Sequence, residues 1–237
     1  MTRRSGSSHT IVKPSYALLA PDSRHPNTLP GWRGCTVHVL VSAALGAGFS
    51  QYLMTFDADG RGEGETDRSV WFFYVVTGDM TINGVRLAAG GFACAAPGER
   101  YLVDGPTTGA TLLVFRLSHA PAAAPATSAF STGHEERVAE QPFLGESCVR
   151  AKPLFVDPST PAFDISILSC CPGGTLPAAA RGESGLLFLT GGGVYRLGDD
   201  WHPVIAGDAL WISRECPQWF IAAGPQPARW ICCRHTA

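Results

Sequence analysis

The feature that most constrains the fold is a hairpin-like pattern that occurs twice, about half a chain apart. In the second half, residues 185–218 form short apolar runs separated by turns at 191–193 and 207–208. A weaker copy covers residues 71–101 in the first half. Short apolar runs separated by glycine, aspartate and proline are typical of β-hairpins. We therefore predict an all-β protein with two tandem β-barrels.

The composition agrees with many turns and few long helices. Among 237 residues there are 27 glycines and 18 prolines, and only 16% of the residues are charged. We predict an N-terminal tail and first barrel over residues 1–120, a linker over 121–150 and a second barrel over 151–237. The linker is placed by the stretch 119–133, which is rich in alanine, proline and serine.

Charge and hydropathy exclude two classes of partner. The formal net charge is −2 and no basic run extends beyond Arg3 and Arg4, so neither nucleic acid nor an anionic membrane surface is expected as a partner. No stretch approaches the roughly 20 apolar residues of a membrane span. Because no apolar segment follows the two arginines, no secretory signal is expected. These observations predict a cytoplasmic protein.

The eight cysteines contain no C-x-x-C motif. Two adjacent pairs, at 170–171 and 232–233, lie in strand-like runs, where neighbouring side chains point to opposite faces. Disulfides are not expected without a secretory signal. Most of the cysteines are therefore interpreted as small buried apolar residues.

Several short segments resemble one known family. They are YALLAPD at 16–22, LPGW at 29–32, GEG at 62–64, YVVTG at 74–78, ILS at 167–169, PG at 172–173 and GVYRLGDDW at 193–201. Together they extend over most of the chain, which resembles the bicupin (S)-ureidoglycine aminohydrolases of allantoin breakdown. The resemblance implies two tandem cupin-type barrels (double-stranded β-helix, or jelly roll) in a homo-oligomer. It also implies hydrolysis of a C–N bond with release of ammonia.

In that family the second barrel holds Mn²⁺ through Glu-x-His-x3-His and a later Gln. The resemblance places these positions on Ala178, Ala180, Ser184 and Gln218, so only the glutamine is kept. Residues 172–185 contain no histidine. A single neutral amide oxygen does not hold Mn²⁺ against water. We therefore expect no metal cofactor and assign no catalytic residue.

Two other places were considered as sources of metal ligands. Glu183 is the only acid near the lost positions, but neighbouring strand residues face opposite sides. In the first barrel, the general cupin ligand spacing falls on Glu65, Asp67, Trp71 and Tyr101. Neither barrel keeps a histidine at these positions.

The resemblance also implies a substrate pocket in the second barrel. The family's substrate-contacting tyrosine falls on Tyr195, a second tyrosine falls near Trp230, and a lysine falls on Arg234; Gln218 completes the set. Each of these residues could instead have a structural role in the barrel wall or a turn.

Three functions stay open at this point. The first is the family's aminohydrolase activity. The second is metal-free binding or regulation, in which Arg234 holds a small ureido or carboxylate compound. The third is a purely structural role in an oligomer.

Overall fold

The computed structural model describes residues 8–105, 108–118, 130–156, 163–176 and 182–235. Within these ranges the chain forms 21 strands, numbered in chain order. The strands of the first half are β1 (Ile11–Lys13), β2 (Tyr16–Leu19), β3 (Trp32–Val41), β4 (Phe49–Glu65), β5 (Ser69–Thr77), β6 (Asp79–Ile82), β7 (Val85–Ala88), β8 (Gly91–Ala95), β9 (Arg100–Gly105) and β10 (Thr111–Ser118). Those of the second half are β11 (Phe130–His134), β12 (Gln141–Phe143), β13 (Glu146–Val156), β14 (Phe163–Cys170), β15 (Thr175–Leu176), β16 (Glu183–Thr190), β17 (Gly192–Leu197), β18 (Asp200–Ile205), β19 (Ala209–Ile212), β20 (Gln218–Ala222) and β21 (Ala228–His235).

The helical residues in these ranges form three short 3-10 segments, at Pro21–Ser23, Ala43–Leu45 and Glu135–Arg137. The all-β prediction is therefore confirmed. No helix in the described part of the chain is long and apolar enough to span a bilayer.

The two halves repeat one pattern of antiparallel pairing. In the first half, β5 pairs with β8 and β10, β10 with β4, β4 with β3 and β9, and β6 with β7 and β9. In the second half, β16 pairs with β19 and β21, β21 with β14, β14 with β13, and β17 with β18 and β20. The short β15 pairs with β20, and this pairing is equivalent to that between the end of β4 and β9 in the first half. The prediction of two tandem barrels is thereby confirmed.

Equivalent glycines form the first corner of each repeat. Gly78 follows β5 with φ 77°, and Gly191 follows β16 with φ 67°, a conformation that favours glycine. A Cβ on Gly78 would lie 3.0 Å from the Cα of Ala110, and one on Gly191 would lie 2.9 Å from the Cα of Ala228. In both halves the corner therefore packs directly on the backbone that enters the last strand of the repeat.

The segments that precede the two barrels are exchanged between them. The N-terminal arm, residues 8–24, pairs through β2 with β19 of the second barrel. The connecting segment pairs through β11 with β8 of the first barrel, and β8 and β19 are equivalent strands. Each arm thus supplies hydrogen-bond partners to an otherwise open sheet edge.

Sheet membership accordingly differs from the expected division of the chain. The arm within residues 1–120 joins the second sheet, and the expected linker at 121–150 contains β11, β12 and the start of β13. The boundaries at 120 and 150 stay a prediction about folding units.

Three hydrophobic cores hold the molecule together. One fills the first barrel and a second fills the second barrel. The third, here called the interbarrel core, lies between the two large sheets and includes Phe49 and Phe115 from the first half with Trp211 and Ile231 from the second. Strand residues alternate between a barrel core and the interbarrel core, because successive side chains point to opposite faces.

Candidate functional site

A small cavity lies inside the second barrel. Its free volume is about 10 Å³, which is room for about one water molecule. Its lining residues are Phe143, Leu168, Leu176, Ser184, Leu186, Tyr195, Gln218, Trp230, Cys232 and Arg234. The structure thus brings Ser184, Tyr195, Gln218, Trp230 and Arg234 together around one space. Ala178 and Ala180 lie outside the described residues.

The alternation of β21 explains why three of these side chains share the cavity. Trp230, Cys232 and Arg234 line it, while Ile231 and Cys233 between them belong to the interbarrel core. A strand that is buried on both faces sends every second residue into the barrel. This part of the site follows directly from the two-residue period of the sequence.

Tyr195 and Gln218 form a buried pair at the wall of the cavity. The Tyr195 hydroxyl donates a hydrogen bond to Gln218 Oε1 at 2.8 Å. Burial raises the pKa of Tyr195, so its hydroxyl stays protonated and acts as a donor. The amide oxygen at the one kept metal-ligand position is therefore already engaged by a protein donor.

Arg234 supplies the cation of the cavity. Its Nε and Nη2 both donate to Asp164 Oδ1, at 3.1 and 2.9 Å. Its guanidinium carbon lies 4.7 Å from the ring centroid of Phe143, a cation–π distance. Asp164 and Phe143 were not predicted as site residues, because the cross-strand register that sets Asp164 opposite Arg234 is not a local property of the sequence.

Trp230 has an unused donor at this site. It is 0% exposed, and its Nε1 has no hydrogen-bond partner among the described residues. Leaving such a donor unpaired costs about 1–3 kcal/mol. Buried polar groups in native proteins are nearly always paired with protein, water or ligand. The indole N–H groups of Trp32 and Trp71 in the first barrel also lack a partner among the described residues. What is specific to Trp230 is that it lines a cavity beside Arg234.

The donors that line the cavity do not fit Mn²⁺. Ser184 offers a hydroxyl, Gln218 an amide oxygen that Tyr195 already uses, and Cys232 a thiol whose pKa burial raises to about 12. Asp164 is paired with Arg234. No group of three or more His, Cys, Asp or Glu side chains within the described ranges could hold a metal ion. Sites for Mn²⁺ combine several carboxylate, imidazole, carbonyl or water ligands.

Glu183 points away from the cavity, as strand alternation predicts. Its carboxylate accepts a hydrogen bond from Trp211 Nε1 at 2.6 Å and from the Gly48 N–H at 3.0 Å. His235 Nδ1 lies 3.2 Å from the same carboxylate. Glu183 therefore links the second barrel to the first half of the chain.

An imidazole that the sequence did not predict also faces the second barrel. His202 is opposite Tyr195 in the register of β17 and β18, and it is buried. Its Nε2 lies 3.0 Å from the Tyr16 hydroxyl, which donates to Asp200 at 2.8 Å. Burial lowers the pKa of His202, so the neutral form is favoured. The alternation of β18 was a signal that could have identified this residue.

Known proteins are similar to this chain over most of its length. The (S)-ureidoglycine aminohydrolase of Arabidopsis thaliana is 29% identical over 95% of this chain and 77% of its own length. A rice protein named "probable (S)-ureidoglycine aminohydrolase" is 30% identical over 95% of this chain and 74% of its own. No family model matches the chain.

Solved structures share the fold. The protein Ylba from Escherichia coli superposes with a TM-score of 0.81 at 23% identity, over 97% of this chain and 94% of its own. Oxalate decarboxylase from Lactobacillus farciminis gives a TM-score of 0.68 at 11% identity, over 93% and 86% of the two chains. The strand pairing, these neighbours and the rice relative lead to one conclusion: the chain is a bicupin and belongs to the (S)-ureidoglycine aminohydrolase family.

Proposed function

We propose that this family member binds a small ureido or carboxylate compound in its second barrel without Mn²⁺. The observation that carries the proposal is the pairing of a barrel cation, Arg234, with an unused buried donor, Trp230 Nε1, around one cavity. An anion with several acceptor atoms can pair with Arg234 and accept a hydrogen bond from the Trp230 indole. A divalent cation is repelled by Arg234 and cannot accept a hydrogen bond from Trp230.

The geometry indicates how such a ligand would be held. A guanidinium carries five N–H donors, and two of those on Arg234 converge on a single oxygen of Asp164. The remaining donors can form charge-assisted hydrogen bonds with a ligand carboxylate. The Trp230 indole can then donate to a ureido carbonyl. Because the free space is about 10 Å³, a ligand of this size enters only if the lining side chains shift.

The second candidate is the activity in the relatives' names. Proteins called (S)-ureidoglycine aminohydrolase are similar over most of this chain, which favours C–N hydrolysis with ammonia release. The donor set described above argues against a manganese-dependent route. We therefore propose negligible ammonia release from ureidoglycine, with or without added Mn²⁺.

Three measurements test both candidates. Metal analysis of the purified protein and an ammonia assay with added Mn²⁺ should give no stoichiometric manganese and no turnover; turnover at the level of the relatives would overturn the proposal. Thermal shift with N-carbamoylglycine, a stable ureido acid, should show stabilisation that its neutral amide does not produce. Arg234→Gln should remove this stabilisation, and Arg196→Gln, an exposed arginine on β17, should retain it.

We also propose a cytoplasmic homo-oligomer. The outer face of the four-stranded sheet β15-β20-β17-β18 exposes Trp201 (55%) and Ile205 (57%), and the Trp219 ring lies 5.4 Å from that of Trp201. Neighbouring exposed apolar side chains on one sheet face favour a contact surface. Light scattering should give at least a dimer and Trp201→Ser should weaken it; a strict monomer at micromolar concentration contradicts the proposal.

A further inference from the structure

We propose that Cys148 and Cys171 are a reversible disulfide-forming pair at one end of the second barrel. This is a thiol modification site that does not depend on what the cavity binds. Cys148 lies in β13, and Cys171 follows the last residue of β14.

The backbone sets the two cysteines opposite each other. Val149 is paired with Cys170 in the antiparallel register of β13 and β14, so the next residues out are Cys148 and Cys171. The Cys171 N–H donates to the Cys148 carbonyl oxygen at 3.0 Å, so the two backbones are still in contact at this position. Opposite residues of an antiparallel pair have Cβ atoms about 4.5–5.5 Å apart. A disulfide requires about 3.5–4.5 Å, so closure needs a movement of roughly 1 Å.

The chain after Cys171 allows that movement. β14 ends at Cys170, and the Cys171 backbone is held by two further hydrogen bonds: its N–H donates to the Cys148 carbonyl at 3.0 Å, and its carbonyl accepts from the Gly174 N–H at 2.8 Å. A small movement of Cys171 therefore adjusts these two bonds and leaves the pairing of β14 intact. A Cβ on Gly174 would lie 2.9 Å from the Cβ of Cys148 and 3.0 Å from the Sγ of Cys170. Glycine at 174 therefore lets the turn fold closely over the thiols.

Exposure and position together select this pair among the eight cysteines. Cys148 is exposed and Cys171 is partly exposed, whereas Cys170, Cys216, Cys232 and Cys233 are buried. Cys35 and Cys94 are also partly exposed, but they lie on β3 and β8 of the first half. The Cys148 and Cys171 side chains interact directly, which raises the pKa of the Cys171 thiol. Burial raises the pKa of the neighbouring Cys170 to about 11 and keeps it unreactive. Cys148 is thus the thiol that an oxidant reaches first.

The oxidant is of the peroxide class, and the reaction balances. The Cys148 thiolate attacks hydrogen peroxide, the O–O bond breaks, and a sulfenic acid and one water form after proton transfer. The Cys171 thiol then attacks that sulfur, the S–O bond breaks, and a second water leaves with the thiol proton. Two thiols and one peroxide give one disulfide and two waters. A low-molecular-weight dithiol reverses the reaction by thiol–disulfide exchange.

The test is peptide mapping of the full-length protein. The reduced protein is treated with hydrogen peroxide, its remaining thiols are alkylated, and it is digested without reductant. We expect one dominant cross-link that joins the peptide containing Cys148 to the peptide containing Cys171, lighter by two hydrogens and cleaved by dithiothreitol. Cys148→Ser and Cys171→Ser should each abolish it.

Matched variants separate this pair from its neighbours. Cys35→Ser removes a partly buried thiol on β3 and should leave the cross-link unchanged, as should Cys170→Ala. The proposal is overturned if Cys148 and Cys171 remain fully alkylatable after peroxide, or if the cross-link persists in Cys171→Ser through Cys170. It is also overturned if oxidation yields only disulfides between molecules on non-reducing gels. Melting curves of the serine variants show that each is folded before it is scored.

Discussion

The two barrels share one pattern of strand pairing and differ in what fills them. The first is packed with rings: Trp71 stacks on Tyr101 with centroids 4.9 Å apart, and Phe73 and Trp32 lie 5.6 and 5.8 Å from the same tyrosine. The second barrel also contains a ring cluster, with Phe220 5.1 Å from Trp230 and 5.3 Å from Tyr195, but it encloses a cavity lined by Arg234. The two barrels therefore differ in the enclosed cavity and its charged residue, not in the presence of aromatic packing.

Tyr101 and Gln218 show how one position can serve either purpose. They lie at the start of the equivalent strands β9 and β20. In the first barrel this position supplies a ring to the core, and in the second it supplies an amide that fixes Tyr195. The barrel scaffold does not require a polar group at this position, which is compatible with the ligand-binding role proposed for the second barrel.

The largest effect is expected from removing the ring stack. Trp71→Ala should lower the free energy of unfolding by about 3–5 kcal/mol, because it leaves a cavity among Tyr101 and Phe73. The increase in unfolding free energy that N-carbamoylglycine produces should be unchanged, because the substitution lies outside the second barrel. Chemical denaturation with and without ligand measures both quantities; loss of binding in a folded Trp71→Ala protein would mean that the barrels are not independent in function.

A smaller effect should appear equally in both barrels. Gly78→Ala and Gly191→Ala each force a positive φ on alanine, which costs about 1–2 kcal/mol, and each brings a Cβ within 3.0 Å of a backbone Cα. Denaturant midpoints should fall by similar amounts in the two variants. A large difference between the two midpoint shifts would show that the corners at Gly78 and Gly191 are not equivalent.

The next largest effect is expected from breaking the ion pair between Asp164 and Arg234, compared with breaking an exposed pair in the first half. Asp164→Asn should cost about 1–2 kcal/mol, because Arg234 loses charge-assisted hydrogen bonds in a mostly enclosed site. Asp67→Asn, which breaks the exposed pair with Arg116 in the first half, should cost less than about 1 kcal/mol. Asp164→Asn should also strengthen carboxylate binding, because a competing anion is removed. Calorimetric titration with N-carbamoylglycine checks this, and weaker binding would contradict the proposed role of Arg234.

The smallest effect concerns pH. Burial holds the pKa of His202 below its unfolded value of about 6.5. The folded state therefore binds fewer protons at this group than the unfolded state does. Its contribution to stability is present above about pH 6.5 and is lost as the pH falls through the folded pKa.

The corresponding experiment compares His202→Gln with His38→Gln, whose imidazole lies in β3 of the first half. Unfolding free energies at several pH values between 5 and 8 should show a weaker pH dependence for His202→Gln than for the unmodified protein. His38→Gln is the control for loss of an imidazole outside the second barrel. If the unfolding free energy changes equally with pH in all three proteins, His202 does not contribute to the pH dependence of stability.

Local patterns predicted much of the second barrel. Alternation places Ser184 in the cavity and Glu183 outside it, and the repeated Thr-Gly corner identifies Gly78 with Gly191. Pairing over long sequence distances was not predicted. Because the register between distant strands depends on tertiary packing, Asp164 could not be matched to Arg234. The alanine-rich composition before Phe130 hid the strand that follows.

The exchanged arms have a consequence for synthesis. β11 can join β8 as soon as it leaves the ribosome, because its partner has already been made. β2 must instead wait for β19, whose Ala209 pairs with Leu19, so a strand that is made early pairs with one that is made late. Such long-range pairing is slow to form. The arm also holds Tyr16 in the core of the second barrel. A deletion or a fused tag at the N-terminus should therefore disturb the second barrel and its cavity more than the first barrel, although the first barrel is nearer in sequence.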